Sequence, residues 1–256
     1  GRSRCSVFRG ILTKENILKY AIQNNLKQIC LTDHFWDENA PGASGWYKPQ
    51  NYEHLACALP LPHDETVEFL FGCETELDKH FNIGISDKVF DKFDFVIIPT
   101  THLHMMTFTI DPVQDSIEGR AEIYVKRFNA VLEKDIPFEK VGIAHLTCPL
   151  LAPHNPHDHI DVLNFIDDKT FNELFSKASK LGVGIELNFP INKYSGKDLD
   201  DILRPYKIAK KCGCKFYMGS DAHHPKDFDG ICKGFECMID SLDLTEDDKF
   251  FIPKCY

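Results

Sequence analysis

The sequence predicts an α/β protein whose parallel strands curl into a TIM-like barrel, and three observations support this fold class. Apolar runs suited to buried strands alternate with segments of helical periodicity, which is typical of repeated β/α units. The runs end at positions 34, 74, 102, 145, 187 and 221, so each unit has about the length found in such barrels. The glycine-rich nucleotide fingerprint that would favour an open sheet is absent from the sequence. A chain of 256 residues is expected to form one such domain, spanning 1–256.

Each element has its own signal in the sequence. Thr13 is expected to cap a first helix from Lys14 to about Asn25, and further helices are expected over 117–132, 171–181 and 199–209. The long irregular segments 35–62 and 146–160 follow strand ends, so they are expected to overhang the mouth of the barrel. Six strands are expected, at Gln28–Thr32, Glu68–Leu77, Phe93–Thr101, Lys140–Ala144, Gly182–Asn188 and Lys215–Ser220.

Composition limits the classes of function. Apolar residues make up 43% of the chain, yet no apolar run has the roughly 18 residues of a membrane helix, and no secretory signal is recognisable. The formal net charge of −10 argues against a long nucleic acid as substrate, because such binding needs clustered Lys and Arg. The ten cysteines lack the paired spacing of a zinc finger or a disulfide framework. Reduced thiols and a cytoplasmic location are therefore expected.

Six residues of metal-ligand type at or near the ends of the apolar runs are the most informative feature. Residues at the carboxyl ends of parallel barrel strands converge on one mouth. Imidazole and carboxylate groups that converge there bind divalent transition metals. A single His at a strand end is more often a hydrogen-bonded core residue, but buried Asp and Glu are rare unless they are paired or bind a metal. The expected ligands are His34, Glu74, His102, His145, Asp221 and His223.

Other polar residues are weaker candidates. His104 would share the face of His102 on a continuing strand, but His102 is preferred because it ends the apolar run. Glu186 lies inside the fifth strand, where it is expected to support the site or the fold. Three His in a Pro-rich loop are expected to be solvated, and three Arg are expected mainly on helix surfaces, with phosphate binding as the alternative. These residues are His154, His157, His159, Arg120, Arg127 and Arg204.

Six short motifs carry a resemblance to a known family. They are TDH at 32–34, Gly72 with Glu74, the run ending in His102, IAH at 143–145, ELN at 186–188 and GSDAHHP at 219–225. Together they resemble the PHP superfamily, named for polymerase and histidinol phosphatase, over nearly the whole chain. The resemblance implies a distorted seven-stranded β/α barrel with two or three divalent ions of zinc, manganese or iron. It also implies that a metal-activated hydroxide hydrolyses a small phosphorylated metabolite, with histidinol phosphate as one possible substrate.

The same resemblance implies a role for each ligand. Glu74 would bridge two ions, one of which His102 and His145 would also bind. Asp221 would bind the neighbouring ion, and His34 and His223 would bind a third ion. The residues expected to take part in catalysis are Glu74, Asp221 and His223.

The chain departs from the family pattern at its first residues. Members open with an HxH pair just before a segment such as SRCS, which occupies positions 3–6 here, so that Arg2 stands where the second His belongs. Either the printed sequence lacks the native first strand, or the motif has been lost. Residues 7–9 also lack a further ligand that many members carry for the third ion. The alternative function is therefore a degenerate barrel that binds a metal or a partner without catalysis.

Overall fold

A parallel sheet of six strands forms the centre of the computed structural model, which describes residues 13–188 and 191–252. The strands pair in the order in which they occur along the chain, β1-β2-β3-β4-β5-β6, and every pairing is parallel. They are β1 (Gln28–His34), β2 (Glu68–Glu74), β3 (Phe95–Pro99), β4 (Val141–Ala144), β5 (Gly184–Asn188) and β6 (Lys215–Gly219).

Helices connect the strands, and their ends follow from local capping chemistry. The Thr13 side chain accepts a hydrogen bond from the Asn16 amide at the start of α1, as predicted. Gly182 ends α6 in the left-handed conformation, with φ of 76°. No described helix is long and apolar enough to cross a membrane. The helices are α1 (Lys14–Gln23), α2 (Tyr52–Ala56), α3 (Asp87–Phe90), α4 (Ile117–Leu132), α5 (Asp158–Phe165), α6 (Asp168–Leu181), α7 (Gly196–Lys211) and α8 (Ile231–Leu242).

The sheet is strongly curled, and its concave side is filled by aromatic rings. The rings of Phe95 on β3 and Tyr217 on β6 lie 5.0 Å apart, although three strand spacings of roughly 4.8 Å would separate them in a flat sheet. Two glycines make room for Tyr217. A Cβ atom at Gly142 would lie 2.5 Å from its ring, and one at Gly184 would lie 3.1 Å from it. Phe250 packs against the same two rings, so this apolar cluster lies inside the half-barrel and below the carboxyl ends of its strands.

The six predicted strands are confirmed, with ends that differ by at most three residues from the predicted ones. The described residues form a half-barrel of six strands, whereas the family resemblance implies a barrel of seven strands. Within the described residues, β1 and β6 are the edge strands and are less buried than β2 to β5. The additional first strand that the family resemblance implies, with its HxH position, lies outside the described residues. That the chain forms a single domain stays a prediction.

Candidate metal centre

The structure brings Glu74, His102 and His145 together in one buried group. Glu74 is the last residue of β2, His102 lies three residues beyond β3, and His145 directly follows β4. One ligand atom from each residue lies within 4.8 Å of the other two. All three side chains are buried, with between 2% and 6% of each residue exposed. Three consecutive parallel strands therefore deliver three ligand-type groups to one point at their carboxyl ends.

Glu74 lies between three imidazole rings. Its Oε2 atom is 3.7 Å from His145 Nε2, and its Oε1 atom is 3.9 Å from His102 Nδ1. His34, the last residue of β1, adds a third ring, with Nδ1 3.7 Å from Glu74 Oε1. These separations are longer than charge-assisted hydrogen bonds, which are about 2.7–2.9 Å, so the groups surround a space that they do not close themselves.

Orphaned polar atoms show that this space suits a cation. Buried side-chain N and O atoms almost always have a hydrogen-bond partner, because an unpaired one costs about 1–3 kcal/mol. Three buried atoms around the space have none among the described residues: His34 Nδ1, Glu74 Oε1 and His145 Nε2. One carboxylate oxygen and two imidazole nitrogens form a donor set that zinc and related transition metals prefer. The residues present therefore fit the divalent ion that the motifs predict.

A buried carboxylate orients His102. Glu76 accepts a 2.9 Å hydrogen bond from His102 Nδ1, so Nε2 is the ring nitrogen that remains available as a ligand. The other carboxylate oxygen of Glu76 accepts a 2.5 Å hydrogen bond from Arg127 Nη2 of α4, and neither side chain is exposed. Arg127 also donates to the carbonyls of Thr100 and Leu77, at 3.1 and 2.9 Å. A buried ion pair thus fixes the chain immediately after both β2 and β3.

Glu186 of β5 supports His145 in a similar way. Its Oε2 atom accepts a 2.6 Å hydrogen bond from the His145 backbone N–H and lies 3.0 Å from His145 Nδ1. His145 has a φ of 57°, which is uncommon for a residue other than glycine. Thr101 donates a 2.7 Å hydrogen bond to the His145 carbonyl, so this turn is held on both sides. The turn directs the His145 side chain into the mouth immediately after β4.

The charges of the group keep Glu74 ionised. Burial alone would raise the pKa of Glu74, but the nearby imidazoles of His145, His34 and His102 favour its charged form and lower this pKa to about 2. Burial also tends to lower the pKa of His145, but the carboxylates of Glu186 and Glu74 raise it well above its usual value. A cation in the same space would replace these protons as the counter-charge of the carboxylates.

Asp221 and His223 lie nearer the solvent than the buried group. Their side chains are 45% and 65% exposed, and His223 Nδ1 is 3.6 Å from Asp221 Oδ1. The His223 ring lies 6.1 Å from the His34 ring. Burial raises the pKa of Asp221, an effect that the charge of His145 opposes and that of Glu74 reinforces, as expected for a carboxylate on the same mouth. The structure therefore separates the predicted ligands into a buried group and a rim pair joined through His34.

The supporting roles of Glu76 and Arg127 were missed by sequence reasoning, although a signal is present for Glu76. Glu76 lies in the apolar run that contains Glu74, and Glu is rarely buried unless it is paired. The prediction of a surface position is wrong for Arg127 and for Arg120, which are 0% and 1% exposed. Arg120 bonds Asp115 and the carbonyls of Leu103 and Leu151.

The other His predictions have mixed outcomes. His104 is exposed beside His102, with ring centroids 5.4 Å apart, and it does not belong to the buried group. His154 and His157 are exposed, as predicted for a solvated loop, and each lies beside an Asp. The prediction is wrong for His159, which is buried and lies 2.9 Å from the Tyr194 hydroxyl, with Nε2 as the nearer ring nitrogen.

Comparisons with known proteins find a relative in sequence and a structure of similar fold. No protein-family model matches the sequence. The chain is 28% identical over 225 residues to a probable phosphatase from Aliivibrio fischeri (strain MJ11), and the match covers 87% of this chain and 75% of that protein. One likeness to a solved structure is too weak to support a comparison: a chain in the cryo-EM structure of archaeal ribonuclease P with mature tRNA matches with a TM-score of 0.40.

A second solved structure shares the fold. It is the crystal structure of histidinol phosphate phosphatase from Lactococcus lactis subsp. lactis Il1403 complexed with zinc, L-histidinol and phosphate. The TM-score is 0.60 at 16% identity, and the match covers 90% of this chain and 88% of that one. Its shared fold and the sequence likeness to the bacterial probable phosphatase both agree with the resemblance predicted from the motifs.

Proposed function

We propose that this chain, with its likeness to phosphatases in sequence and fold, is a metal-dependent hydrolase of small phosphate monoesters. One observation carries the proposal: Glu74, His102 and His145 form a buried donor set at the mouth of a half-barrel, and buried atoms of Glu74, His145 and the neighbouring His34 lack hydrogen-bond partners. Such a set is costly to maintain for stability alone, because unpaired buried polar groups destabilise a fold. Binding a divalent ion would offset that cost.

The residues would divide the work as follows. Glu74, His102 and His145 would hold an ion, and Glu76 and Glu186 keep the two imidazoles oriented. When bound, a divalent ion supplies Lewis-acid polarisation of a phosphoryl oxygen and a lowered pKa for a water molecule. In the overall reaction water adds to phosphorus, the bond from phosphorus to the leaving oxygen breaks, and the alcohol departs with a proton. The same proposal includes the rim residues. His34, Asp221 and His223 would be metal ligands, and Asp221 and His223, with Glu74, would take part in catalysis.

Further parts of the proposal follow from the family resemblance. They are two or three ions of zinc, manganese or iron, a small phosphorylated metabolite such as histidinol phosphate as substrate, and closure of the sheet as a distorted seven-stranded barrel. A cytoplasmic location is also proposed. In its support, all eight cysteines among the described residues are free thiols, as a reducing compartment would keep them.

Hydrolysis of a generic aryl phosphate tests the proposal. The protein is loaded with Mn²⁺ or Zn²⁺, and release of the phenol is compared with that of Glu74→Ala. Glu133→Ala is the matched control, since Glu133 is an exposed carboxylate paired with Lys177 at 3.3 Å, outside the site. We expect turnover in the wild type and the control and at least a hundredfold loss in Glu74→Ala, because a loaded ion lowers the barrier by several kcal/mol.

Metal analysis of the same samples separates the two candidate functions. Bound metal with turnover supports the phosphatase. Bound metal without turnover of any phosphate monoester would favour the degenerate barrel, the alternative that the HxH departure motivates. Equal activity in the wild type and Glu74→Ala would refute the assignment of the site.

A further inference from the structure

An exposed tryptophan lies at the edge of the metal centre. Trp46 is 56% exposed, and its ring meets the His34 ring edge to face, with centroids 5.0 Å apart. His34 in turn lies 3.7 Å from Glu74. The chain has two tryptophans, and the other, Trp36, is 1% exposed. An indole with more than half of its surface in solvent is unusual, because tryptophan is highly buried on average.

The loop that carries Trp46 is held in place by its own contacts. Gln50 donates a 3.0 Å hydrogen bond from its side chain to the Trp46 carbonyl. The next residue, Tyr47, is 1% exposed, and its amide donates to the Ser44 side chain at 3.2 Å. Tyr47 packs against Trp36 in a small aromatic cluster beneath the loop. The fold therefore anchors the residues around Trp46 and leaves the indole itself uncovered.

The position of this indole suits a substrate that reaches out of the metal centre. A phosphate group near Glu74 would lie one imidazole ring away from Trp46, so the group attached to the phosphate would leave the mouth past His34. Aromatic faces bind planar rings better than they bind saturated groups of the same size. We propose that Trp46 determines specificity by binding a planar aromatic or heteroaromatic leaving group of the phosphate monoester. This inference rests on the proposed phosphatase function.

Two substrates of matched reactivity test the inference. Benzyl phosphate and cyclohexylmethyl phosphate both release a primary alcohol, and they differ in whether the six-membered ring is planar. The kcat/KM for each is measured with metal-loaded wild type, Trp46→Leu and Trp46→Phe. We expect Trp46→Leu to lower the preference for benzyl phosphate by about three- to tenfold, the range that aromatic stacking contributes. Trp46→Phe keeps a flat ring and should retain most of the preference.

Phe251→Leu is the control for loss of an exposed aromatic side chain. Phe251 is 68% exposed and follows Phe250, whose amide bonds the Phe216 carbonyl near the amino end of β6, away from the mouth. This variant should keep the wild-type preference. A binding readout is independent of turnover: benzylphosphonate should quench the tryptophan fluorescence of the wild type, whereas cyclohexylmethylphosphonate should not.

The outcomes separate the two proposals. If the wild type hydrolyses neither these two substrates nor the aryl phosphate, the phosphatase function fails. If it hydrolyses the aryl phosphate but shows no preference for benzyl phosphate, the phosphatase function stands and the inference is wrong. If both are hydrolysed and Trp46→Leu lowers both equally, with or without loss of bound metal, Trp46 supports the mouth without selecting the substrate and the inference is wrong. An unchanged preference in Trp46→Leu, or saturable benzylphosphonate binding without a change in fluorescence, overturns it as well.

Discussion

Replacing Glu76 with alanine tests the buried support of His102 directly. The substitution removes one carboxylate and leaves three buried donors without their acceptor. These are Arg127 Nη2 at 2.5 Å, His102 Nδ1 at 2.9 Å and the Leu77 amide at 2.8 Å. Burial already lowers the pKa of Arg127, an effect that the Glu76 carboxylate opposes, so its loss strands a charged guanidinium that is 0% exposed.

The expected magnitude follows from this geometry. Breaking a buried ion pair by removing one partner costs about 3–5 kcal/mol. In a chain of 256 residues each kcal/mol lowers Tm by about 2–4 °C, so we expect Glu76→Ala to melt roughly 10 °C below the wild type. Because His102 also loses its orienting partner, metal affinity should fall by about 10- to 100-fold.

Calorimetry of metal-free protein and titration with Zn²⁺ measure the two effects separately. Glu76→Gln keeps the shape and removes the charge, so its Tm should lie between those of the wild type and Glu76→Ala. Glu133→Ala removes an exposed carboxylate at the end of the same helix that carries Arg127, and its Tm should hardly change. A Glu76→Ala variant as stable as Glu133→Ala, with wild-type zinc affinity, would refute the reasoning.

Two further predictions concern the aromatic cluster around Tyr217 and the charge of Glu74. Gly142→Ala places a Cβ atom 2.5 Å from the Tyr217 ring, so this variant should be less stable than the wild type by about 1–3 kcal/mol in urea unfolding. Gly45→Ala is the control, because a Cβ atom there would have no neighbour within 4 Å and stability should not change. Equal urea midpoints for the two variants would contradict the packing around Tyr217. Because the pKa of Glu74 is lowered from 4.5 to about 2, ionised Glu74 stabilises the metal-free fold above pH 4.5, and this contribution is lost as the pH falls toward 2. The urea midpoint of metal-free wild type should therefore fall more between about pH 6 and pH 3 than that of Glu74→Gln, and parallel losses would show that Glu74 is not the group responsible.

Much of the scaffold could be predicted from the sequence, because strand burial and helical periodicity are local signals. The apolar run before His145 is buried throughout, and its polar end marks where the strand stops. The meeting of Glu74, His102 and His145 required one further assumption, that carboxyl ends of parallel strands share one edge of the sheet. This assumption holds for β2, β3 and β4.

The pairing of Arg127 with Glu76 could not be predicted in the same way. Arg127 belongs to the apolar face of α4, and a long cationic side chain in such a face normally reaches solvent along its aliphatic stem. Its bond to Glu76 depends on which strand end α4 covers, and this is a property of tertiary packing. Glu186 was expected to support the site or the fold, and its hydrogen bond from the His145 amide agrees with this, but the backbone turn at His145 that it caps has no sequence signal of its own.

The sequential order of the strands also bears on how the protein is made. Glu74, His102 and His145 follow β2, β3 and β4, which are neighbours both along the chain and across the sheet. The three residues of the buried group are therefore synthesised well before Asp221, which follows β6. Any ion that the folded chain binds shifts the balance toward the ordered form by mass action. Metal supply during translation would then affect the yield of folded protein, as well as the activity of the finished molecule.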